Sequence, residues 1–151
     1  MSKPHGGHLR RGRYSEQGRV YLLTSVIAGR QPVFRDFLCA RLLIDEMRHC
    51  AHEGLVESLA WVVMPDHLHW LIALERGDLA HLMKRLKSRS SLSINQQRGT
   101  QGPLWQAGFH DRALRREDDL QATARYMVAN PLRGGLVDRL ANYPHWDAAW
   151  L

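Results

Sequence analysis

Two histidines, His67 and His69, are separated by one leucine within the apolar stretch 61–74. On a β-strand, residues two apart project from the same face and lie about 7 Å apart along the chain. Two imidazoles placed in this way can bind one cation. The pair alone is also compatible with two histidines on a solvated sheet face, because short motifs match by chance.

A phenol and an amide follow much later in the chain, at Tyr126 and Asn130. On a helix, residues four apart are neighbours on one face. A lone helical tyrosine usually packs its ring against the core and leaves its hydroxyl in water. With the histidines as partners, Asn130 could offer an oxygen as a third ligand to a hard cation while Tyr126 faced the same substrate.

The composition favours one globular domain that binds an anion. The chain has 151 residues, of which 44% are hydrophobic and 24% charged, and its formal net charge is +6. Clustered positive residues in a basic protein are typical of nucleic-acid binding. The two cysteines, Cys39 and Cys50, form no C-x-x-C pair and suit a reducing cytosol. The sequence has no run of about 18 apolar residues, so neither export nor membrane insertion is expected.

Hydrophobic periodicity and turn residues predict seven elements in the order β-α-β-β-α-β-α. Strands are expected over 20–27, 57–64, 67–74 and about 108–114, and helices over 34–53, from Asp78, and from Asp118 or Asp119 to about Asn130, where Pro131 would end the last one. The first six elements have the order of the ferredoxin-like (split βαβ) α+β fold, in which helices cover one face of an antiparallel sheet. The third strand would lie near the sheet centre and present the histidines on the open face, and the C-terminal helix would carry Tyr126.

Three segments resemble the IS200-like, single-tyrosine HUH transposases: MPDHLH at 64–69, LWQ at 104–106 and YMVANPLRGGLV at 126–137. Within this group the chain is most similar to the REP-associated tyrosine transposases of bacteria. The resemblance keeps the motifs in family order and runs from about Gly12 to Trp146.

The resemblance implies a metal-dependent single-stranded DNA endonuclease and strand transferase. Its substrate would be hairpin-forming repeat DNA, the repetitive extragenic palindromes. Tyr126 matches the family's nucleophile, whose attack leaves a 5′-phosphotyrosine link and a free 3′-hydroxyl. Such a covalent link conserves the bond energy, so that rejoining needs no nucleotide cofactor.

The resemblance also implies a metal site. His67 and His69 match the family's metal-binding pair, and Asn130 matches the amide four residues after the nucleophile. The family implies Mg²⁺ or Mn²⁺, whereas two imidazoles and an amide by themselves would also suit zinc or copper. Asp66, where the family commonly has asparagine, is expected to point away from the histidines and not to ligate. His110 is a candidate for orienting the site from behind, although it could equally be an ordinary strand histidine.

We divide the chain into a basic N-terminal arm at 1–19, an HUH nuclease/transposase domain at 20–137 and a C-terminal aromatic tail at 138–151. The expected partner is single-stranded DNA in hairpins, and the expected location is the bacterial cytoplasm, at the nucleoid and without membrane contact. IS200 relatives build composite sites in dimers, whereas the aromatic tail favours a self-contained monomer; a monomer is expected, with a dimer as the alternative.

Clustered basic residues are expected to follow the DNA phosphates, which would make binding sensitive to salt. They are Arg10, Arg11, Arg13, Lys84, Arg85, Lys87, Arg89, Arg112, Arg115 and Arg116. The arginines of the N-terminal arm are the better candidates for reading bases, since a flexible segment can enter a groove. Any one of these side chains could equally belong to a solvated face.

Two other functions fit the same pattern. A ferredoxin-like nucleic-acid-binding module without catalysis would bind through its open sheet face. It should stack bases on aromatic rings, which His67 and His69 replace poorly. A metal phosphoesterase that uses water as its nucleophile would instead release a 5′-phosphate with no protein attached.

Overall fold

The computed structural model of the protein describes residues 15–115 and 118–149. Arg10, Arg11, Arg13 and Arg116, which the sequence nominates for DNA contact, therefore lie outside the described residues. The strands are β1 (Val20–Val26), β2 (Val56–Met64), β3 (His67–Leu74), β4 (His110–Ala113) and β5 (Trp146–Ala148). The helices are α1 (Phe37–His52), α2 (Leu79–Arg98), α3 (Leu120–Val128) and α4 (Asn130–Arg133), with short 3-10 turns at Ala28–Arg30, Val33–Arg35 and Leu140–Asn142.

The five strands form one sheet in the order β4-β1-β3-β2-β5, and every neighbouring pair is antiparallel. The predicted α+β fold and the central place of β3 are confirmed. The fifth strand was not predicted: part of the aromatic C-terminal segment pairs with the outer edge of β2. Three residues are too few to show the alternation by which a strand is recognised in a sequence.

Helices α1 and α2 cover one face of the sheet. Asp36 and Asp78 cap them by accepting hydrogen bonds from the backbone N–H groups of Leu38 at 2.9 Å and His81 at 2.7 Å. The predicted start of the first helix at residue 34 was too early, because Val33–Arg35 forms a 3-10 turn before the cap. None of the described helices is long and apolar enough to cross a membrane.

Alternate residues of the central strand contribute to the packed core between these helices and the sheet. Leu68, Trp70, Ile72 and Leu74 of β3 are fully buried. The only polar atom of the Trp70 side chain, its indole N–H, donates to Oγ of Ser58 at 2.9 Å. The intervening residues of β3, among them His67 and His69, consequently project from the opposite face.

The six-element pattern suggested that the opposite face is open, but in the structure this face is partly covered. Helix α3 packs on it through Ala124, Met127 and Val128, which join a second buried cluster. From the sheet this cluster takes Leu59, Ala60, Val62, Met64 and Leu71. The amphipathic face of α3 thus fixes the helix over one half of the sheet face and leaves the histidine end partly accessible.

Helix α3 ends earlier than predicted. It stops at Val128, and a separate short helix, α4, begins at Asn130 with Pro131 in its first turn. Proline has no N–H to donate to the carbonyl of Met127, but its fixed φ suits the first turn of a new helix. Pro131 therefore lies in the first turn of a new helix, α4, and does not end helical structure at this point. Tyr126 and Asn130 consequently stand on two consecutive helices.

Candidate active site

The histidine pair stands at the start of β3, directly after the turn at Pro65 and Asp66. The two ring centroids lie 4.8 Å apart, with the rings nearly perpendicular at 82°. Both rings are partly accessible. Their common face and short separation allow both to reach a single bound ion.

Each imidazole is held through its Nδ1 atom. His67 Nδ1 lies 2.6 Å from Oδ1 of Asp66, and His69 Nδ1 lies 2.9 Å from the hydroxyl of Thr24, its cross-strand partner in β1. A carboxylate only accepts, so His67 donates from Nδ1. When the proton of His69 is also on Nδ1, both Nε2 atoms keep the lone pair that a cation needs.

The position of Asp66 corrects an expectation from the sequence. Its carboxylate was expected to point away from the histidines, but it contacts His67, and its other oxygen accepts from Nη1 of Arg30 at 3.0 Å. Burial alone would raise the pKa of the Asp66 carboxyl, but the hydrogen bonds and charges of His67 and Arg30 outweigh it and leave the pKa below its ordinary value. Asp66 is therefore an anionic support behind His67 at neutral pH.

Burial dominates the electrostatic environment of His69. Burial, with smaller contributions from the charges of His67 and Arg133, lowers the pKa of His69 to about 4. The ring is therefore neutral at physiological pH. Neutral imidazole is the form that binds a cation.

Tyr126 and Asn130 share a cavity with His69. The cavity has a volume of about 490 Å³. Its polar lining is His69, Arg112, Thr123, Tyr126, Asn130 and Arg133, and its apolar lining includes Leu22 and Met127. Tyr126 is 69% exposed although it sits on a packed helix. A phenol in this position is reachable by a macromolecular substrate, which a core tyrosine is not.

Arg133 links the two polar residues of the helices. Its guanidinium donates to the side-chain oxygen of Asn130 and to the carbonyl oxygen of Tyr126, the latter at 2.6 Å. It also lies over the Tyr126 ring, 3.7 Å from the ring centroid. Sequence reasoning did not select this residue. Its spacing was the available signal, because positions three and seven residues after Asn130 and Tyr126 return to the same helical face.

Strand β4 places two of the nominated residues on the histidine face. His110 is paired with Thr24, which is itself paired with His69, so the three side chains project from one face in a row across the sheet. Arg112 is paired with Leu22 and lines the cavity. His110 is exposed and stands one strand beyond Thr24.

The basic residues of α2 are not brought to this cavity. Their helix packs on the other face of the sheet, where Arg85 pairs with Glu53 at 2.5 Å and Arg89 with Glu46 at 3.2 Å. Lys87 donates to the carbonyl oxygens of Gln106 and Gly108, and burial lowers its pKa to about 8. Lys84 is exposed on the same helix, and Arg115 lies in the loop after β4.

The donor set fits a divalent cation. Within residues 15–115 and 118–149, no group of three or more His, Cys, Asp and Glu side chains is arranged to hold a metal. The two Nε2 atoms and the amide oxygen of Asn130 would supply three donors, and substrate oxygens or water could supply the others. Such a mixed set suits an ion that binds together with its substrate.

Comparisons with known proteins give a consistent family. A family model described as "Transposase IS200 like" matches residues 19–130. A Haemophilus influenzae protein described as a REP-associated tyrosine transposase is 24% identical over 140 residues, which cover 85% of this chain and 79% of that protein. The REP-associated tyrosine transposase of Escherichia coli K12 is 27% identical over 99 residues, which cover 62% of this chain and 57% of that protein.

The fold has a solved counterpart. The structure of a REP-associated tyrosine transposase bound to a REP hairpin superposes with a TM-score of 0.75 at 22% sequence identity. The match covers 97% of this chain and 82% of that one.

Proposed function

The chain belongs to the IS200-like transposase family, and we propose that it is a metal-dependent single-stranded DNA endonuclease and strand transferase that uses Tyr126 as its nucleophile. Membership of this family implies a transposase-like nuclease. The observation that carries the finer proposal is the shared cavity: Tyr126, Asn130 and His69 line it together, although they belong to three different elements, α3, α4 and β3.

In the proposed reaction, the phenolic oxygen of Tyr126 forms a bond to the phosphorus of a phosphodiester. The bond from phosphorus to the 3′-oxygen breaks, that oxygen takes up a proton, and the phenolic proton leaves to solvent. The products are a 5′-phosphotyrosine and a free 3′-hydroxyl. Attack by the same or another 3′-hydroxyl reverses the step, and so joins strands.

The roles of the other residues follow from their contacts. His67 and His69 would hold Mg²⁺ or Mn²⁺ through Nε2, with Asn130 as the third ligand. The bound ion would supply Lewis-acid stabilisation of charge on the phosphate oxygens. Asp66 and Thr24 orient the two imidazoles from behind, a role in which such groups strengthen metal binding. His110 remains a candidate for a supporting role.

The substrate we propose is a DNA hairpin of the repetitive extragenic palindrome type. The solved counterpart was captured with a REP hairpin, and the net charge of +6 suits a polyanion. Arg112 is the nominated basic residue that lines the cavity, and we assign it to the phosphates near the cleavage site. We also propose that Arg115 and the arm residues Arg10, Arg11 and Arg13 contact the DNA.

We propose a monomer as the working form, because the phenol and the imidazole that line the cavity belong to one chain. A dimer would instead exchange the tyrosine between subunits. The proposed location is the bacterial cytoplasm, where the DNA substrate is found.

Covalent trapping tests the function. The protein is incubated with single-stranded hairpin oligonucleotides from the DNA flanking its gene, with Mn²⁺ or with a chelator, and run on a denaturing gel. We expect a protein–DNA band with Mn²⁺ that disappears with Tyr126→Phe while hairpin binding persists. Release of a 5′-phosphate without this band would indicate the phosphoesterase, and binding without cleavage would indicate the non-catalytic module.

A further inference from the structure

Arg133 occupies the oxygen that the proposed metal site needs. Its guanidinium donates to Oδ1 of Asn130 while it lies on the ring of Tyr126. We propose that Arg133 is a gate on the metal site: it leaves Asn130 when a phosphodiester oxygen of the DNA arrives to receive it, so that the third metal ligand is released only with substrate present. This inference rests on the proposed function, since it concerns the same cation site.

The two states exclude each other for electrostatic reasons. A divalent ion bound to Oδ1 of Asn130 would stand beside the guanidinium that donates to the same oxygen, and two cations this close repel strongly in a partly buried site. His69, which lies in the same cavity, already feels the positive charge of Arg133. The ion and the guanidinium therefore compete for Asn130.

Arg133 is able to move because its contacts are exposed and uncharged. Its hydrogen bonds to Asn130 and Tyr126 are both exposed to solvent. Among the residues described by the structure, no carboxylate forms an ion pair with Arg133, whereas Arg85 and Arg89 each pair with a glutamate. Its charge is thus uncompensated within this part of the fold, and a phosphate offers it stronger, charge-assisted hydrogen bonds.

The same movement would place the phosphate correctly. Arg133 lies 3.7 Å from the centroid of the Tyr126 ring, so a guanidinium that released Asn130 but stayed over the ring would hold its phosphate beside the phenol. One side chain would thereby couple three events: DNA binding, completion of the metal site and presentation of the phosphodiester to the nucleophile.

The test measures Mn²⁺ binding to the full-length, DNA-free protein by calorimetry. We expect Arg133→Gln to tighten Mn²⁺ binding about tenfold, because Asn130 becomes free. Arg125→Gln is the matched control: Arg125 is an exposed arginine on α3 that donates to Gln121, and its replacement should leave the affinity unchanged. Unchanged or weaker binding by Arg133→Gln would overturn the gate.

A double variant separates release of Asn130 from simple loss of charge. The gain from Arg133→Gln should be clearly smaller in the Asn130→Ala background than in the wild type, because only the loss of charge then remains; an equally large gain in both backgrounds would mean that Arg133 acts only through its charge, and the gate would be wrong. His69→Ala, which removes the ligand without supplying another, tests the underlying function. If His69→Ala leaves Mn²⁺ binding unchanged, the cation site itself is wrong, and the gate with it. If His69→Ala abolishes binding but Arg133→Gln has no effect, only the gate is wrong.

Adding the hairpin supplies the substrate half of the test. In the Tyr126→Phe background, which prevents covalent trapping, hairpin oligonucleotides should bring the Mn²⁺ affinities with and without Arg133→Gln to within about twofold. If the tenfold difference remained with saturating hairpin, Arg133 would not leave Asn130 for the DNA.

Discussion

Oδ1 of Asp66 accepts a hydrogen bond from Nδ1 of His67 at 2.6 Å, so the residue directly before the histidine pair fixes the first of its rings. The contact crosses the start of β3, where the turn ends and the strand begins. Asp66, which the sequence suggested was only a turn residue, is therefore part of the site. Its partner Arg30 binds the second carboxylate oxygen and keeps the carboxylate in place.

Replacing Asp66 should weaken metal binding and cleavage. We expect Asp66→Ala to lower both by about 10- to 100-fold, because His67 loses the acceptor that orients it. Asp66→Asn retains an acceptor oxygen and should lose less. The measurements are Mn²⁺ titration and hairpin cleavage, with Asp45→Asn as the control, since Asp45 lies on α1 and pairs with Arg48. Wild-type values for Asp66→Ala would contradict the role.

The hydroxyl of Thr24 should be needed for the same reason at His69. Thr24→Val keeps the shape of the side chain but removes the oxygen that lies 2.9 Å from His69 Nδ1. We expect a loss of unfolding free energy of about 0.5–1.5 kcal/mol in urea denaturation, together with slower cleavage. Thr24→Ser keeps the hydroxyl and should restore cleavage. Equal cleavage by Thr24→Val and the wild type would show that His69 needs no such support.

The metal-free protein, kept with a chelator, should become less stable on mild acidification because His69 takes up a proton. Its pKa is about 4 in the folded protein and near 6.5 when unfolded, so the unfolded state binds the proton more readily between these values. The contribution of His69 is fully present above pH 6.5 and is lost as the pH falls toward 4. We expect a loss of about 2 kcal/mol, since the ring is not completely buried.

Urea denaturation between pH 4 and pH 7 checks this dependence. His69→Gln should remove the part of the pH dependence of the unfolding free energy that His69 causes. His145 contributes to the remaining slope, because burial lowers its pKa as well. An identical slope for the wild type and His69→Gln would show that His69 does not carry the effect.

Arg112 should contribute to hairpin binding from the edge of the cavity. We expect Arg112→Gln to weaken hairpin binding. In a plot of log affinity against log salt concentration, the magnitude of the slope should fall by about one. Arg48→Gln is the control, because Arg48 is exposed on α1, away from the histidine face. The measurement is hairpin affinity by fluorescence anisotropy at several salt concentrations. An unchanged slope for Arg112→Gln would remove this residue from the proposed interface.

Local sequence signals were sufficient for four of the five strands and for the three longer helices. The alternation in β3 and the cap at Asp78 depend on neighbours within a few residues, and the structure confirms both. The cross-strand contact between Thr24 and His69 depends on register, which a pattern within one strand does not encode. Charge on a helix likewise does not reveal its partners, so the pairing of Arg85 and Arg89 with glutamates of another element could not be read from α2 alone.

The site was visible in the sequence as residue types but not as contacts. Spacing brought Tyr126 and Asn130 together, and they do line one cavity, although Pro131 places them on separate helices. Arg133 was passed over because arginines are abundant in this chain and only the geometry singles one out.

The short strand β5 covers an edge of the sheet to which a strand of a second molecule could otherwise add. Together with its flanking residues, β5 forms hydrogen bonds with the backbone of β2 between Leu59 and Val63. Without these bonds, this apolar segment would be an unpaired edge to which another strand could add. Among the described residues, the sheet then terminates in strands of only four and three residues, β4 and β5. Edge strands this short offer a second molecule few free backbone groups to pair with, which disfavours edge-to-edge association of the sheet.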